Sequence, residues 1–256
     1  MQTELFATLA SKAQTGNRKA MAALLRLAHT PVSYLCRKLL RNEQAAQDMT
    51  RGILSAVPKT LGTLKSPAEF ETWICRVTAS RCMLALAQMS NAEPSELTAL
   101  PEPSVQDLDE AQTAQLVQQL VDQLPEKPRI CLLLYSCTGL KLKGISQLTG
   151  FPEGEVLEHL NHAQKAVNQQ LRSFHRRGVH FTPIPALSSL VRTAMYSSRD
   201  LRAAAAMVSD ILPKKAPPTK KPSAPRNRTL LIAVIAAAGL LMGLLALIVY
   251  LETATV

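Results

Sequence analysis

The sequence predicts an all-α protein made of two small helical domains and a C-terminal transmembrane helix. Three observations carry this expectation. Apolar residues recur at a period near 3.6 through the first 212 positions, with no run of any length alternating at period two. A proline-rich, acidic stretch interrupts the pattern at 90–110. An uncharged run of 23 residues then occupies 229–251. The chain has 256 residues, enough for two small domains, and its hydrophobic fraction of 47% is ample for packed cores.

Residues 18–41 read as two helices meeting near Thr30-Pro31, the second with Val32, Leu35, Leu39 and Leu40 on one face. Asn42 to about Leu61 gives a third helix. Ser66-Pro67 starts a fourth, in which Phe70, Trp73, Ile74, Val77 and Leu84 make a broad apolar stripe. Together these form a domain over 1–89. Residues 90–110, NAEPSELTALPEPSVQDLDEA, have the composition of a linker. A second domain at 111–180 holds short, closely joined helices at about 111–123, 126–138, 141–149 and 153–174, with turn chemistry at Leu124-Pro125-Glu126, Thr138-Gly139 and Thr149-Gly150. In it, Gly150 can end one helix and Phe151-Pro152 can turn the chain. The spacing of Val156, Leu160, Ala163 and Val167 then starts the next, which is a helix-turn-helix layout. Residues 181–212 form an amphipathic juxtamembrane segment.

At about 1.5 Å per residue the run TLLIAVIAAAGLLMGLLALIVYL (229–251) reaches roughly 35 Å, enough to cross a hydrocarbon core of about 30 Å. Ahead of it the spacer PKKAPPTKKPSAPRNR (213–228) carries Lys214, Lys215, Lys220, Lys221, Arg226 and Arg228 and no acid, while the other flank, LETATV, has no basic residue. Positive charge stays inside, so residues 1–228 are expected in the cytoplasm, anchored to the cell membrane by a single pass through the lipid bilayer at 229–251. Five prolines extend the spacer, and its charge favours anionic lipid. The N-terminal stretch MQTELFATLASKAQ is too polar for a secretory signal.

The formal net charge of +10 is unevenly spread. Residues 1–89 hold twelve basic and five acidic side chains, whereas 90–120 hold six acids and no base, so the first block is the candidate nucleic-acid surface. Cys36, Cys75, Cys82, Cys131 and Cys137 are odd in number and lie in helical patterns, which fits a reducing compartment better than disulfides. No phosphate loop, nucleophile elbow or paired-carboxylate motif is present, so neither enzymatic activity nor a cofactor is expected. His159 and His162 are spaced to share a helical face, but no third ligand stands at a known spacing, and no metal site is expected.

Three stretches occur in a telling order: RKLLRNEQAAQDM (37–49), FETWICRVTASR (70–81) and LPEKPRICLLLYSCTGLKLKGISQLTGFPEGEV (124–156). They resemble, respectively, the RRLLG-type start with its acidic run, the F-x-x-W-L-x-R-I-A-x-N helix, and the L-P-x-x-x-R helix-turn-helix of the two-domain bacterial sigma factors of the extracytoplasmic-function group, within the sigma-70 family. The resemblance covers about 18–89 and 111–172. It implies a region 2 that binds core RNA polymerase and the promoter's −10 element, and a region 4 that reads the −35 element. The implied partners are polymerase core, promoter DNA and an anti-sigma-type regulator.

Carried over residue by residue, the resemblance implies polymerase contact at Asp48 and Arg51. The family's core-binding helix continues D-L-x-Q-E-x-F, and here the Gln-Glu positions are Arg51-Gly52. That change replaces an acid and adds a cation, which weakens attraction to a basic partner. A glycine inside a helix also costs about 1 kcal/mol relative to alanine. Trp73, Arg76 and Arg81 are candidates for single-stranded promoter DNA, a ring stacking on a base and guanidinium groups meeting phosphate; Trp73 equally suits the core beside Phe70, Ile74 and Val77. In region 4 the candidates are Lys141, Lys143, His159, Asn161, His162 and Lys165. The family's recognition helix is of the type T-V-K-S-R-L-H-R-A-R, and the same positions here, EVLEHLNHAQ (155–164), keep the apolar residues and lose the cations. Phosphate affinity and guanine readout are both reduced. Two functions follow: a membrane-anchored, sigma-like initiation protein, or an adaptor that kept the scaffold to bind protein partners.

Overall fold

Ten α-helices make up most of the described residues, 2–88, 106–181, 186–197 and 200–212, of the computed structural model. By contact the chain divides into Met1–Pro213 and Lys214–Val256. Every described residue lies in the first unit. The uncharged run 229–251 expected to cross the membrane, the basic spacer and most of the expected linker fall outside the described residues, and no helix among the described residues is long and apolar enough to cross a membrane.

The N-terminal half is built from α1 (Gln2–Gln14), α2 (Arg18–Leu40), α3 (Glu43–Thr60) and α4 (Phe70–Gln88). Asn17 caps α2 by accepting from the Ala20 amide at 3.0 Å, and Asn42 caps α3 by accepting from Ala45 at 2.9 Å; such caps contribute about 1 kcal/mol each. Phe6, Leu24, Leu25, Leu35, Ile53, Leu54, Phe70 and Ile74 are fully buried between the helices. The polar N-terminal stretch is itself a helix, docked by Phe6 on Phe70 with ring centroids 5.8 Å apart.

Two expectations for this half are corrected. Residues 18–40 form one helix with Pro31 inside it, not two. Proline costs about 3 kcal/mol in a helix interior, but Ala28, His29, Thr30, Pro31, Val32, Tyr34 and Leu35 are all buried along α2. At about 25 cal/mol per Å² of apolar area that burial outweighs one missing backbone bond. The stripe on α4 holds at Phe70 and Ile74, which are fully buried, and at Trp73 and Val77, half-buried against the core, but it fails at Leu84, which is 63% exposed; Glu71, Cys75, Thr78 and Cys82 complete the buried side.

The second half contains α5 (Glu110–Asp122), α6 (Glu126–Thr138), α7 (Leu142–Thr149) and α8 (Glu153–Arg176). A capping box between Asp109 and Gln112 starts α5. α6 is the central helix, buried without interruption from Pro128 to Leu134. Two short strands correct the expectation of no strand: β1 (Gln106–Leu108) pairs in parallel with β2 (Val179–Phe181), register Asp107 to His180. The pair joins the segment before α5 to the end of α8. It is too short to show alternation in the sequence.

Residues 187–211 form two helices, α9 (Leu187–Ser197) and α10 (Leu201–Ile211), separated at Asp200, whose carboxylate caps α10. α9 packs against α5, α6 and α2, and α10 against α2 and α3. Both halves share one hydrophobic core. Polar contacts cross between them as well: Tyr34 donates to Gln118 at 2.6 Å, Lys38 pairs with Asp122, and the guanidinium of Arg129, 3% exposed, donates to the Lys38 carbonyl. Burial pulls the Arg129 pKa down to about 10. All five cysteines are buried free thiols, with Cys36 Sγ and Cys82 Sγ 3.8 Å apart.

Candidate functional site

The helix-turn-helix forms where the sequence places it. Gly150 ends α7 in the left-handed region at φ +77°, its amide donating to Ser146 O at 2.8 Å, and glycine takes this conformation at no steric cost. Val156, Leu160, Ala163 and Val167 are buried, with Leu171 and Phe174 continuing the same face. The opposite face presents Leu157, Glu158, Asn161, His162, Gln164 and Lys165 to solvent, Leu157 being 47% exposed. Lys141 and Lys143 are exposed at the start of α7.

His159 stands apart from the other candidates on α8. Its Nε2 lies 3.2 Å from Glu155 Oε1, and its ring meets the edge of Phe151 with centroids 5.7 Å apart. Glu155 also accepts from Lys127 Nζ at 3.1 Å, and that ammonium sits 5.0 Å from the Phe151 ring centre. Hydrogen bonds from Lys127 and then His159 hold the Glu155 carboxyl below its ordinary pKa. This cluster braces the turn against α6 and takes His159 and Lys127 away from a ligand. Cations do gather farther along: Arg172, Arg176 and Arg177 are exposed at the far end of α8, where His175 and His180 stack edge to face.

On the N-terminal half, Trp73 is half-buried and packs on Phe70 with centroids 5.7 Å apart, so its ring serves the core edge. Arg81 is exposed. Arg76 turns toward the second half, where Nε donates to the Thr138 carbonyl at 3.3 Å and Nη2 reaches Gly139 O at 3.5 Å. It thereby meets the carbonyl end of α6, where a cation is favoured. On α3, Asp48 is exposed and accepts from Gln44 at 3.0 Å. Arg51 pairs with Asp210 of α10 at 3.2 Å. A Cβ at Gly52 would meet nothing within 4 Å, so no packing demand explains that glycine.

The structure therefore brings Asp48 and Arg51 to one exposed face of α3, and Asn161, His162 and Lys165 to one face of α8. Arg76 and His159 are drawn into contacts inside the fold. One cluster escaped the sequence reading. Glu71, 3% exposed, accepts from Thr3 Oγ1 at 2.8 Å and Tyr196 Oη at 2.6 Å, and pairs with Arg192. Burial raises its pKa, but the bonds from Tyr196 and Thr3 and the Arg192 charge prevail and hold it below the ordinary value. A signal existed, because Glu71 stands three and four residues before Ile74 and Cys75 on the buried side of α4.

No protein-family model matches the chain. Two curated proteins are similar to it. Over 182 residues, 66% of this chain and 94% of the relative, it is 24% identical to the RNA polymerase sigma-H factor of Pseudomonas aeruginosa. Over 174 residues, 61% of this chain and 91% of the relative, it is 23% identical to the ECF RNA polymerase sigma factor SigW of Bacillus subtilis. The similarity thus spans nearly the whole of each relative, not one shared motif.

Proposed function

We propose that this chain is a membrane-anchored, sigma-like transcription initiation protein. It binds core RNA polymerase through the α3 face that carries Asp48 and Arg51, and meets promoter DNA weakly through α4 and α8. The observation that supports this best is the combination of a region 2-like helical half and a helix-turn-helix half in sigma-factor order, with similarity over 94% of one such factor. Arg81, with the part of the Trp73 ring left open by its packing on Phe70, meets single-stranded promoter DNA, while Lys141, Lys143, Asn161, His162 and Lys165 face duplex. An anti-sigma-type regulator is a further partner of the same helical faces. Residues 229–251 cross the bilayer and hold residues 1–228 in the cytoplasm.

A second reading is an adaptor that binds proteins without reading DNA. Glu153, Glu155 and Glu158 at the start of α8 favour it, because acids there repel phosphate. Capture of the full chain from detergent-solubilised membranes tests both. Polymerase subunits should be retained by the wild type and lost with Asp48→Arg. Retention of none of them by an intact, folded chain would sink the initiation reading. For topology, protease applied outside intact spheroplasts should leave residues 1–228 whole, and digestion of them would reverse the orientation.

A further inference from the structure

α10 lies against the face that the proposed function gives to polymerase. It packs on α2 and α3, and its Asp210 holds Arg51. Between it and α3 runs a cleft of about 360 Å³, with Gln44, Asp48 and Arg51 on one wall and Asp200, Met207 and Asp210 on the other. A partner element that used Asp48 and Arg51 together would have to displace Asp210 and crowd α10. The neighbouring helix acts on the two halves. α9 buries Leu190, Val191, Ala194 and Met195, packing against α5 and α6 of one half and α2 of the other, and sends Arg192 and Tyr196 to the buried Glu71 of α4. Arg76 closes the same seam through the Thr138 and Gly139 carbonyls.

We propose that α9 and α10 form an internal cover, and that core polymerase gains the α2–α3 face only when α10 lifts. This rests on the polymerase-binding reading above. The two helices are unequally held. The buried side chains of α10 are Ala204 and Val208, and its ion pair is 58% exposed on both partners, where such pairs contribute little. α9 buries four apolar side chains and is tied to a buried carboxylate. Elements with few buried contacts open first, so α10 leaves while α9 stays. The chain passes from α10 straight into the basic spacer and the apolar run, so a pull on the tether, or a cut near it, acts on this helix before any other part of the unit.

The test uses the full chain in nanodiscs and purified core polymerase. Ala204→Asp with Val208→Asp puts carboxylates where α10 is buried and touches no proposed polymerase contact. Amide exchange across 43–60 and 201–211 reports whether the cover has lifted, and titration with core gives Kd. Faster exchange should accompany binding about tenfold tighter than wild type, within the usual range for coupled sites. Asp210→Asn, which removes only the charge pairing with Arg51 and leaves the helix packed, should tighten binding about twofold to threefold. It guards against loss of fold in the double variant. Equal Kd values for all chains, with 201–211 exchanging fast in the double variant, overturn the cover and leave the polymerase reading intact. Absence of binding by every chain, lifted or closed, removes the polymerase reading, and the cover falls with it.

Discussion

Glu71→Ala should destabilise the unit Met1–Pro213 by about 3 kcal/mol, the low end of what breaking a buried ion pair costs. Glu71 accepts from Thr3 and Tyr196 and pairs with Arg192, so one carboxylate joins α1, α4 and α9. The low end applies because Arg192 is half exposed and regains water when its partner is lost. At about 2–4 °C per kcal/mol for a unit of this size, the melting temperature should drop by roughly 6–12 °C. Glu71→Gln keeps an acceptor for Tyr196 but not the charge, and should cost about half as much. The pH dependence separates charge from shape. The folded pKa of Glu71 lies below the unfolded value of about 4.3, so the folded state binds fewer protons. Its contribution is fully present above that unfolded value and is lost as pH falls through the lower folded one. Urea unfolding of the wild type should therefore weaken through that acid window, and the Gln variant should lack this part of the slope. A variant as stable as wild type at pH 7 would mean that the three-helix tie contributes nothing.

The helices of both halves were readable because local signals fix them. Asn42 before α3, Gly150 after α7 and the spacing of Val156, Leu160, Ala163 and Val167 each act within one or two turns. Pro31 was misleading for the opposite reason. Its local penalty is real, and α2 continues through it because Ala28 to Val32, with Tyr34 and Leu35, are buried around the proline where α2 packs on α1, α3 and α4. On α4 the large side chains Phe70 and Ile74 mark the buried side, but Leu84 is exposed and small or polar residues, Glu71, Cys75, Thr78 and Cys82, share that side; a carboxylate fits there only because Thr3 and residues 192 and 196 meet it.

The candidate site was legible as a set of residue types and much less so as a set of free groups. Asp48, Asn161, His162 and Lys165 are exposed as their spacing implies. Arg51, Arg76 and His159 have the right chemistry but are engaged by Asp210, by the end of α6 and by Glu155. Two of those three partners lie 62 and 159 positions away, beyond the range of any helical spacing. The third, Glu155 at four residues, is within range of helical spacing and sits in the stretch whose cations the sequence has lost. Its pairing with Lys127 and His159 makes it a brace for the turn as well.

The strongest discrimination between initiation protein and adaptor comes from restoring cations to α8. Leu157, Glu158 and Gln164 are exposed on its outer face, whereas His159 supports the turn and should be left in place. In the full chain, Leu157→Lys, Glu158→Ser and Gln164→Arg together remove one negative charge and add two positive ones. Each new phosphate contact steepens log K against log salt by about 0.9. Two contacts that are neutral at 1 M salt then raise duplex affinity about two hundredfold at 50 mM and about twentyfold at 200 mM. A control that places Ser55→Lys and Gln123→Lys at exposed positions off the helix-turn-helix should gain far less. The wild type should bind duplex weakly and only at low salt. Tight, selective binding of one duplex by the wild type near physiological salt would show that Asn161, His162, Lys141 and Lys143 suffice, and that α8 is not depleted as a reader. If the triple variant gains no more than the control, this face does not meet DNA, and the adaptor becomes the function to pursue, with the acidic start of α8 as a protein-facing surface.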